Sequence, residues 1–378
     1  VYSLDGYLQM IADRPRIEAY EEAIRRSVFP GATVADIGAG SGIMAMLACR
    51  HGAGHVWAIE PADVVELARE VVRANGMESR ITFITKKSTE VELPHKADVM
   101  VSDLRGILPL HGDHIPSIVD ARSRLLNAGG TQIPGKDVLH VAIARADELH
   151  PSSIVRRARE VSGVDLSPVL DVLTRNWTKA KRESLCLTSA PVQIAELDYG
   201  HVTSPDISAS VELEIENEGR SHGLVVWFDT ELVEGVAFSN APDKPDLIYC
   251  RAFFPWPSPT ELRSGDRVSL TIDARLVEGE YLWRWKTTIV GGTGSHVSFD
   301  QSNLGGSPLH ASRLRRHASS YVASPWAGKE IEIEILRRID GRRSNHDIAI
   351  EVADQCGGYE EAFRQVSALV DLLEGRKT

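Results

Sequence analysis

Cysteine is scarce in this chain: four thiols, Cys49, Cys186, Cys250 and Cys356, stand far apart with no C-x-x-C pair. That spacing excludes a disulfide scaffold and a structural zinc site, and it suits a reducing compartment. No apolar run approaches the ~18–20 residues that span a bilayer, and no signal-peptide pattern opens the sequence. A cytoplasmic protein is expected. Positive charge is also in deficit. The formal net charge of −11 argues against a general phosphate-backbone binder, so no nucleic-acid partner is expected. The short basic clusters around Arg315 and Arg342 read as solvated surface. No His/Cys/carboxylate set has metal-ligand spacing, so no metal is expected. There is no internal repeat and no low-complexity tract. The chain opens on Val1 rather than Met, so residues ahead of it are expected.

What is present is ordinary globular material, 43% hydrophobic and 25% charged over 378 residues, enough for two or three domains. The first third alternates strand and helix. Short apolar runs at 34–37, 55–59, 81–84 and 97–101 read as strands, and 42–50, 63–74 and 117–126 as the helices between and after them. One more amphipathic helix, 16–28, precedes them. Such a βαβαβ order implies a parallel sheet covered on both faces. After Gly129-Gly130 and Pro134 the runs become strand-like (138–144, 211–216, 224–228, 268–272, 281–289), which predicts an all-β sandwich or barrel. A helical excursion at 151–185 interrupts it. The Trp-rich runs 253–257 and 283–285 read as barrel core. From Pro325 a third composition begins: the alternating Glu330–Leu336 reads as a strand, followed by helices at 345–355 and 359–373.

Two stretches carry chemistry. Asp36-Ile-Gly38-Ala-Gly40-Ser-Gly42 joins the first strand to its helix, where glycines let a ligand approach the backbone. The last glycine of a dinucleotide fingerprint is missing, because Ile43 holds that position. A ligand without a pyrophosphate is therefore favoured. Glu60 ends the second strand 22 residues after Gly38, where an acid accepts hydrogen bonds from ribose hydroxyls. Together these residues point to S-adenosylmethionine as cofactor. The second stretch, Ser102-Asp-Leu-Arg-Gly-Ile-Leu-Pro-Leu-His-Gly-Asp-His114, follows the fourth strand and flanks the position of a methyl acceptor.

On these residues the chain resembles the protein arginine N-methyltransferases, from Tyr2 to about residue 305. Met10–Tyr20 resembles the family's N-terminal helix that closes over the cofactor; the resemblance implies that Arg16 pairs with the methionine carboxylate and Met10 lines the sulfonium. Val34–Ala53 matches the glycine-loop block, Val56–Glu60 the ribose acid and Lys87–Pro94 the adenine-edge segment. The cofactor set implied is Met10, Arg16, Asp36, Gly38, Gly40, Gly42, Glu60, Ser88, Thr89 and Asp103, with Thr89 standing where the family usually has an acid. Gly163–Ser167 sits where the dimerisation arm begins, which implies a homodimer. The fold implied is a Rossmann-like class I methyltransferase domain (1–134), then a β-barrel domain (135–310) with a helical arm at about 150–180. A small α+β module (326–378) follows, similar to winged-helix domains and to peptide chaperones of the PqqD type. The latter bind a leader peptide as an added strand, here along Glu330–Leu336; a packing appendage and a dimer contact are the alternative readings of this module.

The departures from the family fall at the acceptor. Its hairpin carries two glutamates nine residues apart that clamp a guanidinium. In this chain the first position is Asp103, the second is Gly112 with Asp113 one step on, and Arg105 stands between them. The family's Thr-His-Trp segment aligns with Leu247-Ile248-Tyr249. The acceptor-side candidates are Asp103, Arg105, His111 and Asp113. In one reading Arg105 binds an acceptor carboxylate, Asp103 positions its amine or guanidine, and His111 or His114 takes a proton. In the other, Arg105 pairs with Asp103 or Asp113 and only shapes the hairpin. The expected activity is methyl transfer to an N or O nucleophile of a small-molecule or peptide acceptor, with natural-product biosynthesis as the expected setting. The alternatives are a protein arginine methyltransferase with a relaxed clamp and an inactive cofactor-binding scaffold.

Overall fold

The computed structural model describes residues 4–292, 296–308 and 330–374, with 315 and 320 as isolated positions. Two units separate, 1–308 and 309–378. The first begins with helices α1 (Leu4–Ala12) and α2 (Arg14–Ser27). Pro15 opens α2, where its missing N–H costs nothing, and Tyr20, Ala23 and Ile24 form its buried stripe. A parallel sheet follows in the order β3-β2-β1-β4-β5, built from β1 (Thr33–Ile37), β2 (His55–Ile59), β3 (Ile81–Ile84), β4 (Ala97–Ser102) and β5 (Leu126–Ile133). Between them run α3 (Ile43–Arg50), α4 (Val64–Ala74) and α5 (His114–Arg124). In α4, Val64, Val65, Ala68 and Val72 are buried, the spacing of one helical face. The strand order reverses at β1 and β4, which opens a crevice at their carboxyl ends.

Helix α5 begins at His114, one turn before the expected Ser117. Pro116 lies in its first turn, where proline is tolerated. The early start puts His114 on the buried face with Ile115, Ile118 and Ala121.

The barrel domain holds two antiparallel sheets. One runs, in spatial order, Ile207–Leu213, Arg267–Val277, Glu280–Val290 and His296–Ser302. The other is centred on the strands Lys136–Arg145, Gly219–Val233 and Arg251–Leu262. As expected, the tryptophans are core: Trp256, Trp283 and Trp285 are buried, with Phe254 edge-on to Trp285 at 5.1 Å. Two of these indole N–H groups have side-chain acceptors, Trp256 donating to Thr287 Oγ1 and Trp285 to Gln301 Oε1. The excursion contains α6 (Pro151–Ser162) and α7 (Leu170–Leu173). It leaves Ile154, Val161 and Val164 at least half exposed.

The second unit contains α8 (Glu330–Leu336), α9 (Asn345–Cys356) and α10 (Tyr359–Glu374). Glu330–Leu336 is therefore helical rather than the expected strand, and the described residues of this unit include no strand. The Glu-Ile alternation also puts Ile331 and Ile335 four apart. Ile335 is buried against Ile348, Val352 and Val366, while Glu334 pairs with Arg338 at i,i+4. With two apolar helix faces available and no strand to pair with, the helical period wins. The edge expected to receive a peptide strand does not exist there. Residues 326–329 lie outside the described residues.

Candidate active site

A cleft of about 680 Å³ opens at the carboxyl ends of β1 and β4. Ten of the expected residues line it: Met10, Arg16, Asp36, Gly38, Gly40, Glu60, Asp103, Arg105, His111 and Asp113. Three do not. Gly42 caps α3 with φ 77° and faces Phe83, 3.3 Å from where a Cβ would stand, so its glycine serves packing. Ser88 is buried in a short turn whose carbonyl accepts from Arg124, and Thr89 is exposed.

The cofactor half is built locally. Gly38 and Gly40 hold φ 73° and 51°, a region that admits glycine cheaply. A Cβ on Gly38 would collide with Leu104, and one on Gly40 would meet the Tyr7 ring at 3.0 Å. Tyr7 and Leu104 thus wall the loop, and sequence reasoning missed both. Tyr7 precedes Met10 by three residues on α1, so a shared helical face was the available signal. Glu60 accepts from the Gly40 N–H through Oε2 and from the Ala62 N–H through Oε1, both at 2.9 Å. Each oxygen retains a second lone pair for a ribose hydroxyl. Asp36 is buried and accepts from Ala45 N–H. Desolvation pushes its pKa up to about 7; the Ala45 bond opposes this and the Glu60 charge adds to it.

The acceptor half is a buried charge network. Asp103 Oδ2 accepts from Arg16 Nε at 2.7 Å and from the Tyr249 hydroxyl at 2.5 Å, and Arg16 Nη2 lies 2.5 Å away in the ion pair. Asp103 Oδ1 accepts from Arg105 Nε at 3.0 Å. Burial alone would raise the Asp103 pKa, but the Arg16 and Arg105 charges and the Tyr249 hydrogen bond hold it below the usual carboxylate range. The Arg105 side chain is fully buried. It also donates to Asp137 Oδ1 at 3.0 Å, to Thr230 Oγ1 at 2.9 Å and to the Tyr20 hydroxyl. The rings of Phe228 and Phe238 lie 5.4 and 5.3 Å from its guanidinium carbon.

Two expectations are corrected here. Arg105 is spent on protein groups and offers nothing to an acceptor carboxylate; of the two readings, pairing with Asp103 is the one observed, with Asp137 rather than Asp113 as second partner. His114 is buried, and its pKa is lowered to about 3 by desolvation, then by Arg105. It is therefore a neutral imidazole rather than a base tuned to neutral pH. His111 stands nearer solvent, packed over Gly106, and desolvation lowers its pKa too. Asp113 is an exposed residue preceding α5. Asp137 and Tyr199 complete the network and were not anticipated. A lone carboxylate in the apolar strand Val138–Ala144 extends was the signal for the first.

Glycine loop, strand-terminal acid and crevice define a nucleoside-binding methyltransferase of the class I fold. Comparison with known proteins carries this further. Residues 17–133 match a family described as ribosomal protein L11 methyltransferase (PrmA), and residues 137–279 match the arginine methyltransferase oligomerization subdomain. An arginine N(omega)-methyltransferase from Streptomyces achromogenes subsp. streptozoticus is 30% identical, covering 70% of this chain and 75% of the relative. Protein arginine N-methyltransferase 1 of Saccharomyces cerevisiae is 27% identical over 71% of this chain and 79% of its own length. A solved structure of the Trypanosoma brucei PRMT1 enzyme–prozyme heterotetrameric complex with AdoHcy superposes with a TM-score of 0.70 at 24% identity, covering 78% of this chain and 97% of that one.

The chain belongs to the arginine methyltransferase family. It is an enzyme that uses S-adenosylmethionine, and it carries the family's oligomerization subdomain. Among the described residues no helix is long and apolar enough to cross a membrane, and no group of three His, Cys, Asp or Glu is placed to hold a metal ion.

Proposed function

We propose that this enzyme methylates an N or O nucleophile of a small-molecule or peptide acceptor that is not a peptidyl arginine. One observation carries the reading. Asp103, the only carboxylate at the two clamp positions, already accepts three hydrogen bonds, from Arg16, Arg105 and Tyr249, and is ion-paired with Arg16. A substrate guanidinium needs free carboxylate oxygens in bidentate geometry, and position 112 supplies none.

The cofactor, when bound, supplies an electrophilic methyl on sulfur. Glu60 would hold its ribose, Gly38 and Gly40 would let it approach the backbone, and Asp36 would underlie it. Arg16 would meet its carboxylate, and Met10 with Tyr7 would close over it and exclude water. Ser88 and Thr89 would need to move to reach the adenine. On the other side Asp103 holds Arg16 and Tyr249 in place, and Arg105 fixes Asp103. His111 stands exposed at the cleft mouth beside Asp113, where it can pass a released proton on to solvent. We assign residues 1–134 to the cofactor domain, 135–310 to the barrel and 326–378 to a separate module. We further propose a cytoplasmic homodimer that docks through the arm, whose Ile154, Val161 and Val164 are solvent-exposed in the single chain.

Radiolabelled S-adenosylmethionine offered with free arginine, arginine-rich peptides and an extract of the native host tests this. Label is expected in an extract component other than arginine and is expected to vanish in Gly40→Val. A second reading, arginine itself as acceptor, is favoured by the 30% identical arginine N(omega)-methyltransferase. Label on arginine or its peptides, lost in Asp103→Asn, establishes that reading instead. Binding of cofactor without turnover on any acceptor establishes an inactive scaffold.

A further inference from the structure

His114 opens α5 and lines the cleft, yet no role has been assigned to it. Its surroundings fix where its proton sits. Arg105 Nη1 lies 3.0 Å from Asp137 Oδ1, so Asp137 is an ionised carboxylate and accepts only. The Tyr199 hydroxyl donates to Asp137 Oδ2 at 2.7 Å. Burial holds the Tyr199 pKa well above its ordinary value, so that phenol keeps its single proton and has spent it. His114 Nε2 lies 3.0 Å from the same hydroxyl oxygen. The oxygen can only accept there, and Nε2 must carry the hydrogen. The ring is neutral, which leaves Nδ1 as a bare lone pair. Nδ1 is buried and has no hydrogen-bond partner among the described residues. A buried acceptor left unsatisfied is unfavourable, and the deficit is recovered by any donor that reaches it.

We infer that His114 Nδ1 is the acceptor-binding group of this enzyme, reserved for an uncharged X–H nucleophile such as a hydroxyl or amide-type N–H. The inference rests on the proposed non-arginine acceptor and narrows it. The Arg105–Asp137–Tyr199 chain holds the tautomer, so those three are positioning residues. Balance of charge selects the class. The acceptor's lone pair forms the new bond to the methyl carbon, while the carbon–sulfur pair stays on sulfur as a neutral thioether. The X–H proton, made acidic by the new bond, passes to Nδ1, so one positive charge is consumed and one appears on imidazole. A methylated hydroxyl or amide is acid enough to give its proton to a weakly basic imidazole. A methylated amine or guanidine is not.

The test uses the full chain labelled with nitrogen-15 histidine and saturated with S-adenosylhomocysteine. The His114 signals, assigned by their loss in His114→Asn, are expected to show a protonated Nε2 and a bare Nδ1 at neutral pH. Tyr199→Phe, which removes the oxygen that accepts from Nε2, is expected to release the tautomer into a mixture. Phenol and N-methylacetamide, as uncharged donors, are expected to move the Nδ1 resonance, and methylguanidinium is not. His114→Asn puts an amide oxygen near the Nδ1 position and should keep probe affinity within about threefold, whereas His114→Phe should lose about tenfold or more. A hydrogen on Nδ1, or an Nδ1 that ignores both uncharged probes, overturns the inference. So does an Nδ1 that answers methylguanidinium as strongly. Label in arginine peptides with Nδ1 bare and probe-responsive overturns the broader acceptor reading alone, which keeps the two failures apart.

Discussion

Replacing Arg105 with methionine probes the buried network most directly. The guanidinium bridges Asp103 and Asp137, and both contacts are sealed from solvent. Arg105→Met leaves Asp137 ionised and buried, with hydroxyl donors but no cation. Breaking one side of a buried pair costs about 3–5 kcal/mol. With a urea m-value of about 3 kcal/mol/M, the midpoint should fall by about 1–1.7 M. Asp137→Asn, which keeps an acceptor for Tyr199, should cost a similar amount by stranding the cation. The double variant removes both charges, so its loss should be smaller than the sum by about 2–3 kcal/mol. The pH dependence has a definite sign. Burial already raises the Asp137 pKa, with the charge of Arg105 opposing. Losing that cation raises it further, and the native state then binds more protons than the unfolded one above the ordinary aspartate pKa. Stability of Arg105→Met should therefore fall as pH rises, and its deficit at pH 8 should exceed that at pH 5. Urea melts of wild type, both single variants and the double variant, at both pH values, measure all of this. A cost under about 1 kcal/mol, an additive cycle or a deficit that grows on acidification would refute the account.

Three further outcomes are expected. Asp36→Asn should raise the melting temperature of the ligand-free chain at pH 8, and by less at pH 5. Wild-type Asp36, pushed up to about 7 by desolvation, is stabilised in its protonated form, and that stability is lost as pH rises between about 4 and 7. Gly40→Ala must hold φ near 51° with a Cβ 3.0 Å from Tyr7; calorimetry should find S-adenosylhomocysteine bound about tenfold more weakly or worse. Val161, 90% exposed on α6, should be covered in a homodimer, so light scattering of Val161→Asp should report a monomer at concentrations where wild type is dimeric.

The cofactor half was legible because its determinants are local. Gly38, Gly40 and Glu60 are placed by one strand–turn–helix and the end of the next strand, and short-range periodicity suffices to find them. Gly42, flanked in sequence by the cleft-lining Ser41 and Ile43, belongs to the same pattern but packs on Phe83; spacing does not distinguish a glycine that faces ligand from one that faces core. The Glu330–Leu336 segment failed for a related reason. Its alternation satisfies both periods over so short a run, and only the faces of α9 and α10 decide between them.

From the sequence alone came the methyltransferase fold, the barrel, the glycine cradle and the suspicion that the guanidinium clamp is broken, since each follows from residue type at short range. What becomes of the unpaired charges was a question for tertiary structure. Asp103 meets Arg16 from 87 residues away and Tyr249 from 146, and the His114 proton is assigned by Tyr199, 85 residues on. A buried charge takes whichever partner the packed chain brings within about 3 Å, because desolvation makes an unpaired one too costly to keep. That partner is chosen by the docking of barrel on sheet, a long-range event that no local pattern encodes.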